Sequence, residues 1–269
     1  VEKYPDVPAP KDRALREAEF YELIESNRKL RQKMPTLLGV DRKNHVLLLE
    51  DLGEGSDYST IYRKGELIQT KELQELAEFL STLHLNFHRE TSPNRIRNIE
   101  MRKLNHQHVF VLPYQTENGF DLDSVLPGLS EAAIAVKTDS KISKSIKELG
   151  NLYLADGDHL LHGDFFPGSW LNTKKGIRII DPEFCFFGPA EFETGVTLAH
   201  LKMANQTDKI QKQWIEMYTK QAPLDRALSE RFAAAEVIRR IIGLAQLPLD
   251  IDLEKRIQLL ENAREILAT

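Results

Sequence analysis

Two acidic residues stand where apolar runs end. In Leu160-Leu161-His162-Gly163-Asp164 and in Ile179-Ile180-Asp181-Pro182-Glu183, each aspartate follows a short run of the kind that builds a buried strand. Two carboxylates at neighbouring strand ends, one beside a histidine, suit phosphoryl transfer from a metal-bound nucleotide. One orients an acceptor hydroxyl and takes its proton, and the other holds the metal on the phosphates. Asp164 and His162 are therefore candidate catalytic residues. Asp181 and Glu183 are candidate ligands for magnesium, a hard cation that prefers oxygen, and Ser169 offers a weaker or water-mediated oxygen. Each half has a plainer reading. His-Gly-Asp alone fits a structural turn around a buried histidine, and Asp-Pro alone starts many turns. Their joint occurrence favours chemistry. A metal-hydrolase reading of His162, Asp164 and Asp181 fails on ligand count.

These residues need a frame. Gly163 permits a close approach or unusual dihedrals in the loop after Leu161. Trp170-Leu171, the Lys174-Lys175-Gly176 turn and residues 177–180 read as a hairpin, with Asp164 before it and Asp181 at its exit. Upstream, residues 12–26 read as a helix with Leu15, Phe20, Leu23 and Ile24 on one face. Residues 37–40 and 45–50 read as two short strands around a polar turn, and Gly53 and Gly55 break that pattern. A helix follows over 70–88, with Thr70 as its N-cap and His84 on its apolar stripe as a core histidine. Residues 109–113 form a short apolar run, Asn118-Gly119 marks a turn, and 129–154 reads as one helix. After the hairpin, helices fill the chain to 268. The expected division is a small β-containing part, 1–55, and a largely helical part, 56–269.

The 269 residues are 41% hydrophobic, enough for a large core. A net charge of -5 argues against general nucleic-acid binding. No apolar run approaches the roughly 18 residues that span a bilayer, and the first residues lack a signal-peptide pattern. The single cysteine, Cys185, excludes an internal disulfide and a cysteine zinc cluster, which fits a reducing, cytoplasmic setting. The chain does not begin with Met, and its first residues read as the middle of something, so a preceding segment is expected.

The motifs resemble those of the aminoglycoside phosphotransferase and choline kinase superfamily. Its pattern is His-x-Asp, a polar residue five places on, and then Asp-x-Glu; His162, Asp164, Ser169, Asp181 and Glu183 fill those places. Ser169 stands where Asn is usual. From about residue 98 to 245 the chain is similar to the 5-methylthioribose kinases. The carriers are Gly168-Ser169, the segment Asp181-Pro182-Glu183-Phe184-Cys185-Phe186-Phe187-Gly188-Pro189, and Arg239-Arg240. Glu193 replaces their Asp, and Gln246 a usual His. The resemblance implies a two-lobed, α+β, protein-kinase-like fold with an incomplete N-lobe and a helical C-lobe. It implies ATP and magnesium as cofactors. By the same likeness Lys3 touches the nucleotide phosphates and pairs with Glu17, in Arg16-Glu17-Ala18-Glu19-Phe20-Tyr21. The backbone of Glu50, Asp51 and Leu52 meets adenine. Arg239 or Arg240 approaches the substrate and the moving phosphoryl group; consecutive helical residues point about 100° apart, so one need face the site. No Gly-rich loop precedes Lys3.

The expected activity is transfer of the γ-phosphoryl group of ATP to a hydroxyl of a small polar, sugar-like metabolite, without nucleic-acid or membrane partners. An aminoglycoside or choline acceptor ranks lower. The rivals are a nucleotide-binding regulator of the same fold that has lost catalysis, and a protein kinase. The latter lacks a recognisable activation loop or Ala-Pro-Glu element after Glu183.

Overall fold

Apolar residues at helical spacing place the first element. Helix α1, Arg13–Ile24, buries Ala18, Phe20, Tyr21, Leu23 and Ile24. After the short helix α2, Arg28–Arg31, it leans on an antiparallel hairpin, β1 (Leu37–Asp41) with β2 (Val46–Leu49). The structure is a computed structural model that describes residues 9–92 and 95–269. Lys3, expected at the nucleotide phosphates, lies outside the described residues.

The chain passes through 50–54 and forms β3, Gly55–Asp57. The glycines expected to end the strand pattern instead allow a new strand. A Cβ on Gly55 would lie 2.7 Å from the Asn172 carbonyl oxygen, so the bare backbone lets β3 pair closely with β5. Helix α3, Thr70–Asn86, follows; Gln69, not Thr70, is its N-cap. Gln69 and Glu72 make a reciprocal capping box, satisfying two first-turn amides at once.

Helix α4, Ile99–His106, runs on through a wide turn at Gln107–Val111 and a tight one at Leu112–Tyr114. The single helix expected over 129–154 is two, α5 (Leu129–Lys137) and α6 (Ser140–Leu154). Asp139 breaks them: its side chain accepts from the backbone N–H groups of Lys141 and Ile142 and starts a fresh helix.

Strand β4, His159–Leu161, pairs antiparallel with β7, Phe186–Gly188. Strands β5 (Trp170–Thr173) and β6 (Gly176–Ile179) form the expected hairpin, with Trp170 opposite Ile179. The order β3-β5-β6 makes one sheet and β4-β7 another. The strands that precede Asp164 and Asp181 are therefore not hydrogen-bonded neighbours, as the pattern of apolar runs had suggested. Side chains bring their ends together instead.

Four helices complete the chain: α7 (Ala190–Met203), α8 (Asp208–Thr219), α9 (Arg226–Ile242) and α10 (Leu253–Ala268). Nearly every residue of α7 is buried, which explains its lack of a polar face. Gly195 lets α7 meet α9 closely, since a Cβ there would sit 2.5 Å from the Ser229 carbonyl oxygen. No helix among the described residues is long and apolar enough to cross a membrane.

Candidate active site

The loop after β4 is held from below by one buried carboxylate. Glu193, on α7, accepts the backbone N–H of Gly163 on Oε1 at 2.6 Å and that of His162 on Oε2 at 3.1 Å. The ring nitrogen Nε2 of His84 bonds Oε2 at 3.0 Å, so the core histidine expected on α3 also has its partner here. Gly163 turns with φ +89°, and a Cβ would lie 2.2 Å from the Phe184 carbonyl oxygen. Only glycine fits that place.

His162 is fully buried, edge-on to Phe20 and Phe165. Its Nε2–H donates to the Ile180 carbonyl at 2.9 Å, which leaves Nδ1 to accept the Asp164 N–H at 3.4 Å. Burial lowers its pKa to about 4, so the ring is neutral. Those surroundings leave His162 no contact with solvent. It ties the Asp164 loop to the residue before Asp181, and that bond replaces the missing strand pairing. Ser169 adds a second tie: its hydroxyl donates to the Asp164 carbonyl at 2.8 Å, and its own carbonyl accepts the Ile180 N–H at 3.0 Å.

Asp164 itself is partly exposed, and burial of its carboxyl raises the pKa to about 6 against the pull of Arg240 and Arg239. Asp181 is exposed, with φ +66°, a conformation that few residues other than glycine adopt. Desolvation, then the charge of Glu183, brings it to about 6, with Arg13 opposing. The charge of Asp181 also raises Asp164, as the least of its influences.

Glu17 and Glu19, adjacent candidates on α1, part company. Glu19 pairs with Arg16 at 2.8 Å. Glu17 lies within reach of other carboxylates; burial, followed by the charges of Asp181 and Glu183, raises its pKa to about 7. Glu183 is engaged by Arg13 at 2.7 Å. Among the described residues no three His, Cys, Asp or Glu side chains cluster tightly enough to hold a metal ion by themselves. Two carboxylates, Asp181 and Glu183, are the donors nearby; magnesium is a cation that keeps waters and binds through one or two carboxylates plus a substrate's phosphates.

At the connector, Glu50 binds back onto Thr36. Its N–H donates to the Thr36 carbonyl at 2.8 Å, and its carboxylate accepts from the Thr36 hydroxyl at 2.8 Å. Asp51 accepts the Gly53 N–H at 2.8 Å. The Glu50 carbonyl and the backbone groups of Leu52 have no hydrogen bond among the described residues.

Arg239 and Arg240 both turn inward, although only one was expected to. Glu236, one turn earlier, gathers them: Oε1 accepts Arg240 Nε at 2.6 Å and Oε2 accepts Arg239 Nη1 at 3.0 Å. Arg240 also lies over the Phe166 ring, 4.9 Å from its centroid. The same Oε1 that takes Arg240 also meets His200 Nε2 at 3.2 Å, and His200 Nδ1 meets the Tyr62 hydroxyl at 2.6 Å. The paired guanidiniums hold Glu236 well below the usual carboxylate range despite its burial. Spacing of three and four lets one carboxylate reach both arginines.

Residues 1–231 match the profile described as "Phosphotransferase enzyme family". The chain belongs to that family. Among curated proteins, this phosphotransferase-family chain is 31% identical over 163 residues to methylthioribose kinase 1 of Oryza sativa subsp. japonica, covering 60% of this chain and 36% of the relative. It is 29% identical over 274 residues to the methylthioribose kinase of Bacillus pumilus (strain SAFR-032), covering 84% of this chain and 67% of the relative. The chain thus spans about a third of the rice relative's length and two thirds of the bacterial one's. Among solved structures, a microcompartment-associated aminopropanol kinase matches with a TM-score of 0.54 at 16% identity, covering 98% of this chain and 81% of that one. A glucosamine kinase bound to glucosamine, ADP and phosphate matches at 0.53 and 15%, covering 93% and 70%. The choline kinase LicA from Streptococcus pneumoniae gives 0.50 and 15%, covering 97% and 84%. These likenesses show the protein-kinase-like fold.

Three residues of this family member's candidate site carried no assignment from sequence: Glu236, His200 and Tyr62. Glu193 was visible only as a replacement of Asp. The signal for Glu236 was its position three and four residues before the arginine pair. Nothing local marks Tyr62, which meets His200 from 138 positions away.

Proposed function

We propose that the chain transfers the γ-phosphoryl group of ATP, with magnesium, to a hydroxyl of a small polyhydroxylated metabolite. The observation that carries this is the tying of the Asp164 loop to the residue before Asp181, through the His162–Ile180, Ser169–Asp164 and Ile180–Ser169 bonds, with the charge of two arginines reaching Asp164. The methylthioribose kinase relatives make methylthioribose the leading acceptor.

Asp164 orients the acceptor hydroxyl and takes its proton as the oxygen attacks phosphorus. A carboxyl raised to about 6 is ionised at neutral pH, yet it is a stronger base than an ordinary aspartate. Asp181 is the carboxylate that holds magnesium, with Glu183 and Ser169 behind it; magnesium, when bound, neutralises charge on the transferring phosphates. Arg239 and Arg240, kept in place by Glu236, offer their remaining N–H groups to the phosphoryl oxygens. Guanidinium forks match that geometry. Glu17 suits an ion pair with a lysine such as Lys3, since a cation relieves its crowding by Asp181 and Glu183. The unbonded peptide groups at Glu50 and Leu52 suit the edge of adenine.

Asp164→Asn tests the assignment. Magnesium-dependent ATP consumption with methylthioribose should fall by about 10²–10⁴-fold, as expected for loss of a general base. ATP affinity by calorimetry should change little. Retained turnover in Asp164→Asn would remove the proposal's basis.

A further inference from the structure

One side chain from outside the sheet grips the turn that carries Asp181 and Glu183. Asn98 Nδ2 donates to the Glu183 carbonyl oxygen at 2.8 Å and to the Cys185 carbonyl oxygen at 3.0 Å. Both hydrogens of the amide are thereby used, and two facing carbonyls identify that end of the side chain as the NH₂ group. Asn98 is buried, and its partners lie 85 and 87 positions further along the chain.

Asn98 is the N-cap of α4. An asparagine there ordinarily turns its side-chain oxygen onto a first-turn N–H. Asn98 makes no such bond, and its backbone sits at φ +43°. Asparagine is one of the few residues that enter that region as single residues. The helix start therefore goes without its usual cap while the amide reaches across to the turn.

The turn has its own demands. Asp181 also has a positive φ, +66°, and such a residue persists only where its surroundings hold it. On the N-terminal side His162 and Ser169 fasten Ile180. Within the turn the Cys185 N–H donates to the Pro182 carbonyl at 3.0 Å. Asn98 supplies the grip on the C-terminal side, on peptides, while Arg13 takes the Glu183 carboxylate at 2.7 Å.

We infer that Asn98 is a positioning residue that sets the turn and, through it, the affinity of Asp181 and Glu183 for a divalent cation; this rests on the phosphotransferase reading above. Asn98 bonds neither carboxylate, so it acts through the peptide groups. Magnesium demands near-ideal octahedral positions, so a turn released on one side loses cation affinity while the rest of the fold stands. A merely structural tie between α4 and the turn would cost stability alone.

Three variants of the full chain separate these roles. Asn98→Gly tolerates the positive φ and removes the amide. Asn98→Asp keeps the shape but turns an acceptor towards two carbonyl oxygens. Asp139→Ala removes the cap of α6 and serves as the control for a general loss of stability. Manganese(II), which takes the same oxygen donors as magnesium, is titrated by electron paramagnetic resonance with ADP present, and each sample is melted. The manganese Kd should rise about ten-fold in Asn98→Gly, the scale of the bonds lost, and further in Asn98→Asp. It should keep its wild-type value in Asp139→Ala. A wild-type Kd in both Asn98 variants overturns the inference. So does an equal rise in Asp139→Ala, or manganese binding that ignores Asp181→Asn. ATP consumption on the same samples separates the two levels. Cation affinity lost in both Asp181→Asn and Asn98→Gly, without turnover by the wild type, keeps the role of Asn98 and sinks the phosphotransferase reading. Turnover that depends on Asp164 and Asp181, with an unaltered manganese Kd in both Asn98 variants, sinks the role of Asn98 alone.

Discussion

Replacing Glu193 with glutamine keeps the volume of the side chain but removes a charge and one accepting oxygen. In the native arrangement Oε1 takes the Gly163 N–H and Oε2 takes the His162 N–H and the His84 ring. However the new amide is turned, its NH₂ group faces at least one buried backbone N–H, and both are donors. A buried donor left unsatisfied costs about 1–3 kcal/mol, and losing the charge assistance of the remaining bonds costs about another 1–2 kcal/mol. The sum is roughly 2–5 kcal/mol. For a chain of this size that lowers Tm by roughly 5–15 °C. The strain falls on the peptide before Asp164, so the carboxylate moves with it. A displacement of about 1 Å at a reacting group is enough for about a 100-fold loss of turnover. The assays are a thermal melt and magnesium-dependent ATP consumption with methylthioribose, and the two losses should appear together. A Tm within about 2 °C of wild type together with normal turnover would refute the idea that Glu193 holds the loop.

The pH profile follows from Asp164. Its carboxylate form is the active one and its pKa is about 6, so kcat/KM should fall about ten-fold per unit as pH drops below about 6 and level off above it; an acid limb near pH 4 would contradict that. Asp181→Asn should raise the magnesium concentration needed for half-maximal turnover by at least about ten-fold, read from a magnesium titration, while leaving the melt near wild type because the side chain is exposed. Gly163→Ala drives a methyl into the Phe184 carbonyl at a positive φ, and denaturant unfolding should show a loss of at least about 2 kcal/mol. Glu236→Gln leaves the paired guanidiniums without their shared anion, and chemical denaturation should register a loss of about 3–5 kcal/mol.

Much of the candidate site's framework was legible as letters in order. The apolar runs before Asp164 and Asp181, the hairpin between them and the helical spacing of α1 and α3 are local patterns. Each is set by backbone geometry that repeats every two or 3.6 residues, so a reader of the chain can place them. Family motifs added the arginine pair and the connector on the same terms. The finer local readings that failed were competitions between near neighbours: Gln69 over Thr70 as a cap, and Asp139 against helix continuation.

Tertiary packing decided the rest. Strand order put β4 and β6 in different sheets, so the tie between the two aspartate-bearing segments depends on a neutral histidine reaching a carbonyl 18 residues away. Whether His162 would react or brace was a question of burial, and burial is a property of the whole core. Both arginines face inward because a single carboxylate, buried between α7 and α9, holds them more strongly than helix geometry spreads them. Glu193 and Tyr62 act on partners 30 and 138 positions away. Local sequence carries no record of such pairings, because they exist only once the chain has excluded water from the space between its elements.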